Sequence, residues 1–222
     1  MLFCIFWADD NMIEKFWVTE FGSLYHGDAL EILPSIKDET IDAIITDPPY
    51  ERKYMHLYPE IAKHAQRILK PGGSFLTIIP HYNIPYIMEE VGKYLKFRWL
   101  CCMWQDVGHH KRMSFGVEVM WKPIGWWTKG TFVRNFRGYV RDGFANTARE
   151  KDLHKWQQNK EWSDYCMHFV EKGDIVLDPL FGSGTIALSC IDKEVGFIGI
   201  EEDTETINKA KNRIEEYIKE NR

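Results

Sequence analysis

Short apolar runs that break off at Pro, Gly or Asp alternate with stretches of helical spacing along most of the chain. Ile41 to Thr46 is a β-branched run ending abruptly at Asp47-Pro48-Pro49, the pattern of a buried parallel strand entering a loop at its carboxyl end. Leu57, Ile61, Ala65, Ile68 and Leu69 then repeat at helical spacing. Pro71-Gly72-Gly73 is expected to stop that helix, and Ser74 to Ile79 reads as the next strand, completing a β-α-β unit. A weaker helix is expected over Ile84 to Leu95, with strands over Phe97 to Trp104 and Gly116 to Trp121. From Lys122 to Asp152 the period is lost among Gly, Arg and aromatic residues, so a basic, aromatic loop region is expected at 123–153. Order returns with a helix from Lys160 to Val170, a strand from Asp174 to Leu177, a Gly-rich turn from Asp178 to Thr185 followed by a helix to about Asp192, and a strand from Val195 to Ile200. A last helix places Ile207, Ala210, Ile214, Tyr217 and Ile218 on one face, capped by Asp203 or Thr204. Strands alternating with helices predict an α/β fold with a mostly parallel sheet in one domain, residues 1–222.

Composition changes that picture little. A hydrophobic share of 45% against 27% charged residues is that of a globular chain of 222 residues, which can bury a sizeable core. Five cysteines without a C-x-x-C pair suggest neither a disulfide framework nor a zinc site. No apolar run approaches a membrane span, so a reducing, cytoplasmic setting is expected, with no membrane partner. His109-His110 beside Asp106 lacks the spacing of a ligand set, and no metal is expected. The net charge of −5 speaks mildly against a polyanionic partner, yet Lys122 to Lys160 is distinctly positive.

Two turns carry candidate chemistry, and both follow strands, where ligands of open parallel sheets bind. Asp178-Pro179-Leu180-Phe181-Gly182-Ser183-Gly184-Thr185 offers glycines for close backbone approach ahead of a helix N-terminus, which suits a nucleotide-like ligand. Glu201-Glu202, about twenty residues on, ends the next strand with carboxylates placed for ribose hydroxyls. Asp47-Pro48-Pro49-Tyr50 is the more specific turn. Its prolines stiffen the backbone and leave carbonyl acceptors without neighbouring N–H groups. An exocyclic amino group is a poor nucleophile that gains positive charge as it is alkylated. The Asp47 carboxylate and the Pro48 carbonyl are expected to accept its hydrogens, while Tyr50 stacks on the ring of a base taken out of a duplex.

These residues resemble the permuted, beta-class N6-adenine/N4-cytosine DNA methyltransferases, in which the catalytic loop precedes the cofactor loop. The resemblance rests on Gly27-Asp28-Ala29-Leu30-Glu31, Thr46 to Tyr50, Leu69 to Gly73, His154-x-x-Gln157, Asp178 to Thr185 and Gly199-Ile200-Glu201. It implies a Rossmann-like sheet that binds S-adenosyl-L-methionine. It further implies Asp178, Leu180, Gly182, Ser183, Gly184 and Thr185 around the methionine part of that cofactor, Glu201 on its ribose and Asp28 near its adenine. Leu180 stands where the family has Phe, and the His154 stretch keeps only His and Gln of its motif. Asp rather than Ser at position 47 favours adenine N6 over cytosine N4 within the family, and RNA adenine stays open. Pro49, Lys111, Arg112, Arg134 and Arg137 are the candidate substrate contacts, and the region at about 123–153, with Trp126 and Trp127 among its aromatics, is expected to recognise the target, with DNA as the partner and a homodimer left open. A non-catalytic nucleic-acid-binding protein that keeps the fold is the competing reading. An enzyme of restriction-modification type is the one the intact turns favour.

Overall fold

The structure is a computed structural model that describes residues 15–105, 111–131, 139–146 and 160–221. In chain order it contains β1 (Trp17–Val18), β2 (Gly22–His26), α1 (Ala29–Ile32), β3 (Ile41–Thr46), α2 (Leu57–Ile68), β4 (Leu69–Ile78), α3 (Ile84–Gly92) and β5 (Lys96–Gln105). These are followed by β6 (Lys111–Arg112), β7 (Glu118–Val119), β8 (Trp121–Thr128), β9 (Gly143–Asn146), α4 (Lys160–Cys166), β10 (Ile175–Asp178), α5 (Thr185–Lys193), β11 (Gly196–Glu201) and α6 (Thr204–Asn221). Among the described residues, nine strands form one sheet in the order β1-β2-β11-β10-β3-β4-β8-β5-β9, and β6 and β7 form a separate hairpin.

The five neighbours from β2 to β4 are parallel to one another, so their carboxyl ends lie along one edge. The strand β8 runs against both β4 and β5, and its first residues therefore reach that same edge. All six residues of β3 are buried, as expected of a central strand covered on both faces. Ala43 and Ile45 enter the core under α4, α5 and α6, while Ile44 enters the core under α1, α2 and α3. That alternation is the two-residue period of a strand between two helical layers.

Two expectations need correction. Pro71-Gly72-Gly73 does not separate helix from strand: α2 ends at Ile68 and β4 already begins at Leu69. The glycines serve the strand, because a side chain on Gly73 would stand 2.9 Å from the Asp42 carbonyl, where the β3–β4 register shifts. The larger correction concerns the loop region expected at 123–153. Its first residues belong to β8, paired on both sides, and Trp127 is fully buried between them. Trp126 packs on Phe169 with ring centres 4.9 Å apart. These tryptophans are core rather than target-contacting residues. Within the same region β9 pairs in parallel with β5.

The link from α1 to β3 is tied down by one side chain. Arg67 of α2 donates to the carbonyls of Leu33, Pro34 and Ile36 and to the Asp38 carboxylate. Arg67→Ala strands those acceptors, some of them part-buried, and is expected to lower stability by about 1–3 kcal/mol in urea unfolding. A change below about 0.5 kcal/mol would mean that water replaces the guanidinium without loss.

Candidate active site

The edge formed by the strand ends collects most of the residues singled out above. Asp47 directly follows β3, and Asp178 closes β10, the adjacent parallel strand, with Leu177 opposite Ile44. On the far side of β10 lies β11, ending at Glu201. Next to that is β2, which leads through Gly27 into Asp28. The Gly27 amide donates to the Glu201 carbonyl at 3.0 Å, so the Asp28 turn abuts the end of β11. Asp28 itself caps α1, its Oδ1 accepting from the Leu30 amide at 2.7 Å.

The glycine turn is held from three directions. Its backbone takes left-handed conformations at Gly182 (φ 52°) and Gly184 (φ 77°), which side-chain-bearing residues adopt only under strain. Glu201 reaches into it: Oε2 accepts from the Gly182 amide at 2.8 Å, while Oε1 accepts from the Asp203 amide at 2.9 Å. Glu201 is therefore a structural acceptor at the mouth of the turn, not a solvated helix-start charge. From the inside, Phe181 is buried and stacks on Phe197. Its ring lies over Gly199, where a Cβ would stand 2.4 Å from Cδ2. From α6, Arg213 donates to the Ser183 carbonyl at 3.1 Å and to Thr185 Oγ1 at 2.9 Å. Sequence reasoning missed Arg213. The only signal was indirect: Ala210, one turn earlier, is small enough to pass close over Gly184.

Asp178 is buried, and its Oδ1 accepts from the Leu180 amide at 3.1 Å. Burial pushes its carboxyl up to about 7, with repulsion from Glu201 and Asp47 adding and the Leu180 amide opposing. Asp47 is thus close enough to be felt at the glycine turn. Because the folded-state value lies above the ordinary 3.8, the native protein binds more protons than the unfolded chain between about pH 4 and 7. The stability linked to this group is full below that window and is lost as pH rises through it. Asp178→Asn removes the dependence, so its unfolding midpoint should gain on the parent protein as pH goes from about 5 to 8. A difference that stays flat with pH would contradict a raised carboxyl.

The second turn is stiff and partly open. Pro48 is buried, Pro49 and Tyr50 are exposed, and the Tyr50 hydroxyl donates to Asp47 Oδ1 at 2.7 Å. Lys122, from the start of β8, holds its ammonium 5.5 Å from the centre of the Tyr50 ring. That residue was read only as the beginning of a basic stretch. Below the turn, fully buried Tyr58 donates to the Ile78 carbonyl, and its phenol is raised by burial and then by the Asp47 charge. Among the substrate candidates, Arg112 lies on the β6–β7 hairpin, exposed and 3.5 Å from Glu118. The side chain of Lys111 and the whole of Arg134, Arg137, His109, His110, His154 and Gln157 lie outside the described residues.

A family model described as DNA methylase, N6_N4_Mtase, matches residues 146–212. The type II methyltransferase M.XycI of Xanthomonas campestris pv. cyanopsidis is 45% identical, with 87% of this chain and 88% of the relative covered. DNA adenine methyltransferase YhdJ of Escherichia coli (strain K12) is 25% identical over 89% of this chain and 85% of its own. The chain spans about half the length of the Bacillus amyloliquefaciens enzyme M.BamHI, 52%, at 25% identity over 78% of this chain. Among solved structures, the M1.HpyAVI-SAM complex superposes with a TM-score of 0.71 at 25% identity, covering 86% of this chain and 99% of the other. The cytosine-N4-specific PvuII DNA methyltransferase shares the fold, with a TM-score of 0.74 at 19% identity over 88% and 87%.

Proposed function

The chain belongs to the N6/N4 DNA methylase family, and on that premise we propose that it transfers a methyl group from S-adenosyl-L-methionine to the exocyclic amino group of a base in DNA, adenine N6. The observation that carries this reading is the meeting of Asp47, Asp178 and Glu201 at one sheet edge, close enough that the first and third raise the second. Acidic groups crowded into a partly dry crevice favour a cationic ligand, and a sulfonium beside an ammonium is one. The glycine turn fits such a ligand. Beyond the Leu180 carbonyl at 4.0 Å, nothing stands where a Gly182 side chain would be.

When bound, the cofactor supplies an electrophilic methyl carbon on a positively charged sulfur. Asp178 and the turn from Leu180 to Thr185 would hold its methionine part, Glu201 its ribose and Asp28 its adenine. At the neighbouring strand end, the Asp47 carboxylate and the Pro48 carbonyl accept the two hydrogens of the attacking amine. They would stabilise the positive charge that the amine gains as it takes the methyl group. The proton that leaves the alkylated nitrogen passes toward Asp47, which is partly open to solvent. Tyr50 covers the ring of the extruded base. Pro49, Lys111, Arg112, Arg134 and Arg137 serve the substrate strand, within a single domain. Target contact thus falls to the hairpin, to the part-buried start of β8 and to the segments flanking β9, since β8 beyond Lys122 is core.

The test is to incubate the protein with methyl-labelled S-adenosylmethionine and unmethylated DNA or RNA, digest to nucleosides and identify the labelled one. Label in N6-methyldeoxyadenosine is the expected result. Label in N4-methyldeoxycytidine moves the acceptor to cytosine, label in RNA moves the substrate, and no label at all sinks the enzymatic reading.

A further inference from the structure

A line of rings and cations leaves Tyr50 along the ligand edge, and nothing in the chemistry of methyl transfer uses its far end. It begins with Lys122 above the Tyr50 ring. The neighbouring Trp121 meets His81 edge to face, at 5.1 Å and 85°. His81 directly follows the loop that ends β4, and burial lowers its pKa, so it is a neutral ring at pH 7. Beside it, Tyr82 packs edge to face on Phe115, the tip of the β6–β7 hairpin, at 6.3 Å. Tyr82 and Phe115 remain 66% and 64% exposed. The hairpin that presents Phe115 is a formed turn, closed by the Met113 amide on the Val117 carbonyl at 2.8 Å and by the Gly116 amide on the Met113 carbonyl at 3.0 Å. Exposed Arg112 flanks it.

We propose that Tyr82 and Phe115, reached from Tyr50 past Lys122, Trp121 and His81, form a stacking track for the nucleotides that flank the target base on the same DNA strand. The proposal rests on the methyltransferase reading of the Tyr50 turn. Two large aromatic faces left two-thirds in water contribute little to the core, and such a patch marks a binding surface. The occupant follows from the company the rings keep. Bases offer flat faces to stack on, and their phosphates find Lys122 at one end and Arg112 at the other. The track is also continuous with the site that must hold the extruded base. A protein partner would be expected to need a broader apolar surface than this narrow row between cations.

The measurement is fluorescence anisotropy with a fluorescein-labelled, mixed-sequence single-stranded oligodeoxynucleotide of about 16 nucleotides, a length within the site sizes of such grooves. Tyr82→Ala and Phe115→Ala are each expected to weaken binding about 5- to 100-fold, with the slope of log affinity against log salt unchanged. Phe115→Trp keeps a ring and should keep the affinity. Arg112→Ala should instead lower the salt slope by about one. Cofactor binding, followed by calorimetry, stays at the parent value in all of them. Parental affinity in the Tyr82→Ala/Phe115→Ala double variant, or a loss that Trp at 115 does not restore, overturns the track while leaving the enzyme intact if DNA is still methylated. A parent protein that methylates no DNA overturns both readings.

Discussion

Asp47→Ala is expected to lower kcat for DNA methylation by about 10²–10³-fold, the range seen when one preorganised partner of a developing charge is removed. The carboxylate sits at the carboxyl end of a strand buried along its whole length, so its position is fixed by the sheet rather than by the loop. Two prolines follow it, and the Tyr50 hydroxyl holds Oδ1 at 2.7 Å. Alanine leaves the stiff backbone and the Pro48 carbonyl in place, and removes one of two acceptors for the amine. Cofactor affinity should fall far less than kcat, because the residues assigned to that ligand lie on the Asp28 turn, β10, β11 and the glycine turn. The Asp178 carboxyl should move back toward its ordinary range, since one source of the repulsion raising it is gone. Single-turnover kinetics with titrated cofactor separate the two effects. A variant that turns over like the parent removes Asp47 from the reaction.

Glu201→Ala is expected to raise the dissociation constant of S-adenosylmethionine about 10- to 100-fold and to cost about 1–3 kcal/mol of stability. The carboxylate accepts from Gly182 on one oxygen and from Asp203 on the other, so it splints the glycine turn to the start of α6. Alanine leaves both amides without that acceptor. The turn then holds its left-handed glycines with Phe181, Arg213 and the Asp178 bond to Leu180 as its remaining anchors. Glu202→Ala is the matched control. Its side chain is exposed, and within about 0.5 kcal/mol nothing should change. Calorimetric titration of both variants decides the matter: equal affinities would remove Glu201 from the cofactor site.

Much of this arrangement was legible in the chain because the ligand edge is built from local signals. A β-branched run that stops at Asp-Pro-Pro, and another that stops at Asp-Pro ahead of two glycines, are strand ends by composition. Two strand ends in parallel α/β units face the same way. Strand β8 was not legible, and Gly125 shows why. In sequence it reads as a loop glycine among Pro123, Trp126 and Trp127. In the fold it is the gap that admits a tryptophan: a Cβ there would stand 2.1 Å from the Trp127 ring and 2.7 Å from Ile79. A residue chosen for what it leaves out carries no periodic signal. Lys122 and Arg213 were invisible for a related reason. Each acts on an element distant in the chain, through a contact created only when β8 meets the Asp47 turn or α6 crosses the glycine turn.

On the proposed assignment of the glycine turn to the cofactor, Phe181 ties the ligand's grip to the melting of the molecule. The turn cannot loosen without lifting a buried ring off Phe197 and out of the gap left by Gly199. Heat and an empty turn therefore work on the same contact from opposite ends. Saturation at about 100 times the dissociation constant should add roughly 2.7 kcal/mol and raise the melting temperature by about 5–11 °C. A thermal-shift screen over nucleoside analogues would then rank candidate donors before any DNA sequence is known.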